Sequence, residues 1–208
     1  MKTKIIDNFL KQEDLNEIQK IKLNEPGKDK IKVYHNKITN DHKVSSECMS
    51  EEFLIRLQKN YHDIAIDILK ELCPEKEKLY DHSEFHIILT GKDYRFPIHD
   101  DTPNKLLSGV VYINPKNNSG TIFYDDQKGT NEKKIDWKQN RAVFFSRKER
   151  ETWHSFQGDG KSTRIAMVYN LMTYNIKEVC KIEKKNSLFS NLRFKLNPYL
   201  YRYFKILI

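Results

Sequence analysis

Four side chains spread over the middle of the chain constrain the fold most strongly, and they are His99, Asp101, His154 and Arg164. Two imidazoles and one carboxylate are the ligand set of a non-haem Fe(II) site that keeps three coordination positions open. Arg164 adds a permanently charged fork that can hold a carboxylate through two hydrogen bonds. A fold that uses these residues together must bring His154 back onto the segment around residue 100.

The spacing of the first two candidate ligands fits a strand or a strand end. His99 and Asp101 are two positions apart, so in an extended segment they lie on the same face. Asp100, between them, is predicted to point the other way, towards solvent or a backbone amide.

The region of the second histidine is predicted to form strands over 142–145, 153–156 and 163–169, with the last two joined as a hairpin by residues 157–161. A turn centred on Asp159 would put His154 directly opposite Arg164, with Cβ atoms about 5 Å apart. A slip of one residue would send the two side chains to opposite faces. The pairing of His154 with Arg164 is therefore a prediction about strand register.

Four segments resemble, in the same order, motifs of one enzyme family. They are residues 96–101 (Phe-Pro-Ile-His-Asp-Asp), 107–114 (ending Tyr-Ile-Asn), 119–123 (Ser-Gly-Thr-Ile-Phe) and 141–145 (Arg-Ala-Val-Phe-Phe). From Phe85 to Leu171 the chain resembles the core of the Fe(II)/2-oxoglutarate-dependent oxygenases, nearest the prolyl-hydroxylase-like branch. It departs from that branch at Arg164, where lysine is usual, and at Ser119, which replaces the first glycine of a pair.

The resemblance implies a mainly β fold with flanking helices, built on a double-stranded β-helix (jelly-roll, cupin-like) core. It implies that Fe(II) binds to His99, Asp101 and His154, and that 2-oxoglutarate chelates the metal while Arg164 pairs with its distal carboxylate. Tyr112 and Thr163 are candidate hydrogen-bond donors to that carboxylate. With O2 as the third reactant, the implied reaction is hydroxylation with release of succinate and CO2. Halogenation is disfavoured, because the Asp101 carboxylate occupies the position that a halide would need.

The substrate is open between a small molecule, a sugar derivative and a peptidyl side chain. The loop before the iron motif makes Tyr94 and Arg95 candidate substrate contacts. One alternative is a non-catalytic metal- or ligand-binding protein of the same fold, which the complete ligand set disfavours. Another is a nucleic-acid oxygenase, which needs a basic face with exposed aromatic residues beside the pocket. Nucleic acid is the less favoured partner.

The length of 208 residues predicts one domain. Its parts are a mostly helical support (1–80), the β core (81–173) and a basic, apolar tail (174–208). Residues 14–17 resemble a capping box that opens a short helix ending before Pro26. Apolar residues recur at helical spacing over 51–72, which predicts a helix that Pro74 stops and that packs on the outside of one core sheet.

Composition indicates a soluble, cytoplasmic protein. Mean hydropathy is −0.76, and the sequence contains neither a run of about 18 apolar residues nor an apolar N-terminal segment typical of a signal peptide. Cys48, Cys73 and Cys180 are widely spaced and form no Cys-x-x-Cys pair, so reduced thiols are expected.

From Lys184 onward there are six Lys and Arg residues and no acidic residue, so the tail carries +6 of the formal +8. The favoured interpretation is a helical element, divided at Pro198, that packs its apolar stripe on the core or forms a homodimer, with charges facing water. The alternative is a basic amphipathic element that binds an anionic membrane or nucleic acid. A second basic cluster at Arg147, Lys148 and Arg150 is either a positive pocket mouth or a solvated hairpin tip.

Overall fold

A computed structural model describes residues 2–204, which form twelve β-strands and four α-helices. The strands are β1 (Lys4–Ile6), β2 (Ile31–Tyr34), β3 (Asn36–Thr39), β4 (Val44–Ser46), β5 (His82–Thr90), β6 (Arg95–His99), β7 (Lys105–Asn114), β8 (Ile122–Tyr124), β9 (Lys133–Lys134), β10 (Ala142–Phe145), β11 (Trp153–Gln157) and β12 (Arg164–Met172). The helices are α1 (Gln12–Lys20), α2 (Glu51–Leu72), α3 (Ile176–Ile182) and α4 (Ser187–Phe204), and a 3-10 helix spans Pro74–Leu79. The prediction of a mainly β core with flanking helices is confirmed.

The strands form two antiparallel sheets. The larger has the order β1-β10-β7-β12-β5-β3-β4, with β2 also paired to β5, and the smaller has the order β6-β11-β8-β9. Along β12, Ala166 and Val168 line the cavity between the sheets, whereas Met167 and Tyr169 belong to the apolar core on the other face. This period of two means that the larger sheet is buried on both faces. The smaller sheet covers one face, and the helices cover the other.

The long helix α2 covers the outer face of the larger sheet. Its bounds agree with the prediction, and Ser50 caps its N-terminus by accepting a hydrogen bond from the Phe53 amide. Most of its predicted apolar stripe, including Leu57 and Leu69, is buried in the main core. The exceptions are Ile64, with 42% of its surface exposed, and Leu72, which is half-buried. The stripe therefore fixes the helix on the sheet through its central turns.

The predicted capping box at residues 14–17 is wrong. Helix α1 already begins at Gln12, so Asp14 lies inside it. Its fully buried carboxylate accepts hydrogen bonds from the Tyr61 hydroxyl (2.5 Å) and from Arg56 Nε (2.9 Å), both on α2. The side chain holds two helices together instead of capping one, because tertiary partners are available to it. The helix does end before Pro26, as predicted.

We expect Asp14→Ala to lower the free energy of unfolding by about 3 kcal/mol, because it leaves the buried Tyr61 hydroxyl and part of Arg56 without an acceptor. Chemical denaturation measures this directly. Glu17→Ala is the matched control, since Glu17 also pairs with Arg56 but its side chain is 43% exposed, and it should cost no more than about 0.5 kcal/mol. Equal losses in the two variants would contradict the role given to Asp14.

The N-terminal region contributes strands as well as helices. Strand β1 pairs with β10 at one edge of the larger sheet, and β2 and β3 pair with β5 towards the other. An uncovered sheet edge exposes unpaired backbone groups, and these strands supply partners for them. The strands within the polar stretch 28–43 are held in the sheet by this pairing with β5.

The predicted hairpin between residues 153–156 and 163–169 is wrong. Strand β11 pairs with β6 and β8, whereas β12 pairs with β5 and β7, so His154 lies opposite His99 and Arg164 lies opposite Thr90. The intervening loop crosses from one sheet to the other. Its Gly158 amide donates to the Tyr94 carbonyl (2.8 Å) instead of closing a hairpin. A Cβ on Gly158 would lie 2.0 Å from the Lys92 carbonyl oxygen, so this crossing requires glycine.

The tail is helical, as predicted, but α4 runs unbroken through Pro198, so the predicted division there is wrong. Proline removes one amide donor, and the fixed φ of proline is itself helical. Lys205 and the other residues of 205–208 lie outside the described residues. Among the described helices, none combines the length and the apolar character that a bilayer span requires.

Candidate active site

The structure brings the three predicted metal ligands together. His99 ends β6, Asp101 follows two residues later, and His154 lies on β11 directly opposite His99 in the strand register. One potential ligand atom from each residue lies within 4.8 Å of the other two. The distance in sequence between the histidines is therefore closed by one antiparallel strand pair.

Both histidines present Nε2 as the free ligand atom. Nδ1 of His99 lies 2.9 Å from the Pro97 carbonyl oxygen, and Nδ1 of His154 lies 3.0 Å from the Thr152 carbonyl oxygen. Because a carbonyl only accepts, these contacts keep the proton on Nδ1. Burial lowers the pKa of His154, and burial together with the neighbouring His154 lowers the pKa of His99 to about 3. Both rings are neutral at pH 7, as metal ligation requires.

Two side chains from β7 orient the carboxylate of Asp101. Ser108 Oγ donates to Oδ2 at 2.6 Å, and Lys105 Nζ lies 2.7 Å from Oδ1. Burial raises the pKa of Asp101, but Lys105 and the two histidines outweigh it, so the pKa lies below its ordinary value. The group is a carboxylate with both oxygens held in place.

We expect Ser108→Ala to weaken divalent-metal affinity roughly tenfold, since partners that orient a metal ligand typically contribute about 10–100-fold. Isothermal titration with Ni²⁺ or Co²⁺ provides the measurement. Ser83→Ala is the matched control, because Ser83 is also a buried hydroxyl of the larger sheet but contacts Tyr80. Unchanged metal affinity in Ser108→Ala would contradict the orienting role.

The residue between the two ligands does not face solvent. Asp100 is buried and accepts a hydrogen bond from the Arg150 backbone amide at 2.9 Å, which confirms the amide half of its prediction. Its carboxylate also accepts hydrogen bonds from the guanidinium of Arg193, which lies on α4. Arg193 is 6% exposed, so the prediction that the charges of the tail face water is wrong for this residue.

The second basic cluster was predicted to be a positive pocket mouth or a solvated hairpin tip, and for Arg147 both predictions are wrong. This side chain is fully buried, donates to Glu183 Oε2 at 2.5 Å and donates from Nε to the Asp101 carbonyl at 3.1 Å. Lys76 joins the same buried network through Glu183 at 2.8 Å. The network braces the backbone behind the metal ligands.

Arg164 stands on the opposite wall of the same cavity, in the larger sheet. Its guanidinium lies 3.7 Å from the ring centroid of Phe156 and 5.2 Å from that of Trp137. Burial lowers its pKa to about 10, so the group is still a cation at neutral pH. Among the described residues, none forms an ion pair with Arg164, and its buried Nε has no hydrogen-bond partner. A buried cation without a protein carboxylate is suited to an anionic ligand.

The two other predicted cosubstrate contacts lie differently. The Tyr112 hydroxyl is fully buried, donates to Thr121 Oγ1 at 3.0 Å and accepts from the Thr121 amide at 2.8 Å, and its ring stacks on Trp137. Thr121 itself lines the cavity. Thr163 immediately precedes β12, is half-buried, and is not among the described lining residues. The predicted hydrogen bonds from these two residues to the cosubstrate stay predictions.

The cavity between the sheets has a volume of about 330 Å³ and a mostly apolar wall. The triad, Lys105 and Arg164 supply its main polar groups. Of the two predicted substrate contacts, Tyr94 lines the cavity, whereas Arg95 is exposed and is absent from its described lining. The space is large enough for a small dicarboxylate beside a metal ion.

Sequence reasoning missed Ser108, Lys105 and Arg193. A signal for Ser108 was available, because residues 108, 110 and 112 share one face of a strand, and Tyr112 was already placed inward. No local pattern indicates Arg193, since it reaches Asp100 across 93 residues.

Several solved structures have the same fold as this chain. The chain is similar to a prolyl-4-hydroxylase from Pseudomonas putida (13% identity, 82% of this chain and 92% of that chain, TM-score 0.53). It is also similar to a prolyl hydroxylase from Trichoplax adhaerens in complex with a hypoxia inducible factor peptide fragment (15%, 85% and 86%, TM-score 0.57). A third is HygX from Streptomyces hygroscopicus with nickel, 2-oxoglutarate and hygromycin B bound (9%, 83% and 83%, TM-score 0.52). No family model and no curated protein matches the chain.

The chain therefore has the double-stranded β-helix fold of the Fe(II)/2-oxoglutarate oxygenases, and the predicted resemblance is confirmed at the level of the fold. The residues of the site fit the cofactors of that class. Two neutral imidazoles and a carboxylate suit Fe(II), and the Arg164 guanidinium, which has no carboxylate partner among the described residues, suits a distal carboxylate in the same cavity.

Proposed function

We propose that the protein is an Fe(II)- and 2-oxoglutarate-dependent dioxygenase that hydroxylates a small-molecule, sugar or peptidyl substrate. The observation that carries the proposal is the buried Arg164, which forms no ion pair with any described residue and lies on the wall facing the His99, Asp101 and His154 triad. A triad alone is compatible with a structural metal site. A buried cation in the same cavity has only aromatic rings beside it to offset its desolvation, and an anionic ligand would offset it further.

In the proposed enzyme, His99, Asp101 and His154 hold Fe(II), and Arg164 holds the distal carboxylate of 2-oxoglutarate. Bound iron and 2-oxoglutarate would supply the oxidising chemistry together with O2, of which one oxygen atom goes to succinate as the keto acid loses CO2 and the other becomes the hydroxyl group of the substrate. Two hydrogen bonds from the guanidinium would fix both the orientation of the cosubstrate and its distance from Arg164. The apolar wall excludes water, which strengthens this charge pairing.

Asp101 contributes orientation in addition to charge. Ser108 and Lys105 hold its two oxygens, so its side chain needs little reorganisation to bind a metal. Lys105 also lines the cavity, and its ammonium offers a hydrogen-bond donor near the metal for a substrate oxygen. An acidic or hydroxyl-rich substrate would use this donor.

Turnover of 2-oxoglutarate in the absence of a primary substrate tests the proposal. We expect the enzyme to decarboxylate 2-oxoglutarate slowly even when no primary substrate is oxidised. Succinate should therefore accumulate with Fe(II), ascorbate and air. The rate should fall to background in Asp101→Ala, which removes one proposed ligand. A folded, metal-loaded protein that binds 2-oxoglutarate without forming succinate, alone or with any class of candidate substrate, would favour the non-catalytic alternative.

A further inference from the structure

The C-terminal helix reaches the metal-binding loop through one buried arginine. From α4, Arg193 places Nη2 at 2.6 Å from Oδ1 and Nη1 at 3.1 Å from Oδ2 of Asp100. Asp100 lies between the proposed ligands His99 and Asp101 in sequence. A single two-pronged pair therefore joins a helix near the end of the chain to the loop that carries two of the three ligands.

The same arginine also contacts the segment that leads to the third ligand. Its Nη1 lies 3.4 Å from Glu149 Oε1, and its guanidinium carbon lies 5.8 Å from the ring centroid of Trp153, the neighbour of His154. All of these polar partners are buried. Arg193 is thus held against both segments that must stay in register for the three ligands to converge.

We propose that Arg193 is a positioning residue for the metal centre, acting through Asp100 and Glu149. It holds the 99–101 loop and the start of β11 at the separation at which one metal ion can bind His99, Asp101 and His154. The inference rests on the proposed metal site. It adds that the tail, which lies outside the family-like core, is needed for that site.

The test is Co²⁺ binding, followed by calorimetry and by the visible absorption of the bound ion, which reports coordination geometry without any turnover. Arg193→Met and Asp100→Asn should each weaken Co²⁺ affinity at least tenfold and alter the spectrum. The double variant should bind Co²⁺ no more weakly than the single variant with the lower affinity, because each substitution already removes the contact between Arg193 and Asp100. Arg193→Lys, which keeps the charge but loses the fork, should be intermediate. Lys195→Met is the control on the exposed side of α4, and it should match the wild type.

The outcomes separate the two proposals. A wild-type protein that binds no Co²⁺ at the triad would overturn the proposed metal centre itself. Wild-type affinity and spectrum in Asp100→Asn, with or without a folded Arg193→Met, would overturn the positioning role alone. A lower melting temperature with unchanged Co²⁺ coordination would mean that the pair is merely structural, which also overturns it.

A different observation concerns the outer side of α4. Six large side chains there are exposed, from 40% at Leu196 to 80% at Leu188, so the prediction that the apolar stripe of the tail packs on the core is wrong for these residues. They recur at helical spacing and form one face, which we call the α4 stripe: Leu188, Phe189, Leu192, Leu196, Tyr199 and Tyr203. The helix has no acidic residue, and Lys184 and Lys195 are exposed beside it.

Charge decides which partner suits the stripe. A second copy would bring two basic helices together without an acidic residue on either, so self-pairing is opposed by like charges. An anionic bilayer suits both the apolar stripe and the positive charge beside it, because apolar side chains enter the acyl boundary while lysines contact the headgroups. Half of the stripe consists of leucines, which cannot stack on nucleic-acid bases as aromatic rings do, so the stripe suits an acyl phase better than single-stranded nucleic acid. We also infer that the α4 stripe docks on anionic lipid surfaces.

Sedimentation with vesicles tests this inference, which does not depend on the metal centre. Wild-type protein should partition onto phosphatidylglycerol-containing vesicles at least tenfold more strongly than onto pure phosphatidylcholine, and added salt should reduce the difference. Leu192→Glu should abolish binding, whereas Ile64→Glu, a matched change at an exposed apolar residue of α2, should not. Absence of vesicle binding would overturn the inference. So would a concentration-dependent dimer, or a complex with single-stranded DNA, that Leu192→Glu disrupts in place of vesicle binding.

Discussion

Replacing His154 by alanine is expected to lower Fe(II) or Co²⁺ affinity by more than about 100-fold, beyond the range caused by losing an outer partner of a metal ligand. The imidazole provides one of three protein ligands, and the remaining His99 and Asp101 cannot hold the ion in the same geometry. Uncoupled succinate formation should fall to background with it. Calorimetry of metal binding and a succinate assay measure the two effects separately.

The control for that variant is His42→Ala, because His42 is exposed and lines a different groove, beside helix α2. It should bind metal and form succinate as the wild type does. If His154→Ala kept wild-type metal affinity while remaining folded, the ion would have to bind elsewhere. The triad would then lose its proposed role.

Replacing Arg164 by methionine should have two opposite effects. Affinity for 2-oxoglutarate should fall by about 100-fold or more, because two charge-assisted hydrogen bonds are lost. Without ligand, the variant should be more stable than the wild type by about 1 kcal/mol, because a buried cation that has no carboxylate partner among the described residues is replaced by an apolar side chain against Phe156. This corresponds to a rise of about 2–4 °C in Tm.

Thermal melting with and without 2-oxoglutarate, in the presence of a redox-inert metal, measures both effects in one series. The wild type should gain stability with the ligand, and Arg164→Met should not. Arg164→Lys should keep a reduced ligand shift, because it retains the cation without the fork. A ligand-induced shift of wild-type size in Arg164→Met would show that the distal carboxylate binds elsewhere.

The sequence predicted the parts of the site that depend on residue type and local spacing. His99 and Asp101 were placed on one side of a strand end by a period of two, and the amphipathic helix 51–72 followed from its own apolar pattern. Both rest on interactions between near neighbours in the chain. The donor chemistry of His154 and Arg164 was likewise evident from the residue types.

The relation between His154 and Arg164 was not predictable in the same way. A short glycine-containing connection between two strand-like segments usually indicates a hairpin, but here the loop is held by the backbone of residues 92–94 and crosses between sheets. The two side chains still reach one cavity, from facing walls instead of adjacent strands. Likewise, an aspartate such as Asp14 looks like a helix cap until its partner Tyr61, 47 residues away, is known.

The most direct test of the central claim is an anaerobic titration of the apo-protein, first with Fe(II) and then with 2-oxoglutarate, followed by visible absorption. A keto acid chelated to ferrous iron has a charge-transfer band, and no primary substrate is needed to see it. We expect a saturable band in the wild type, no band in His154→Ala and a weakened one in Arg164→Met. A folded wild-type protein that takes up Fe(II) and 2-oxoglutarate without such a band, or takes up neither, would contradict it.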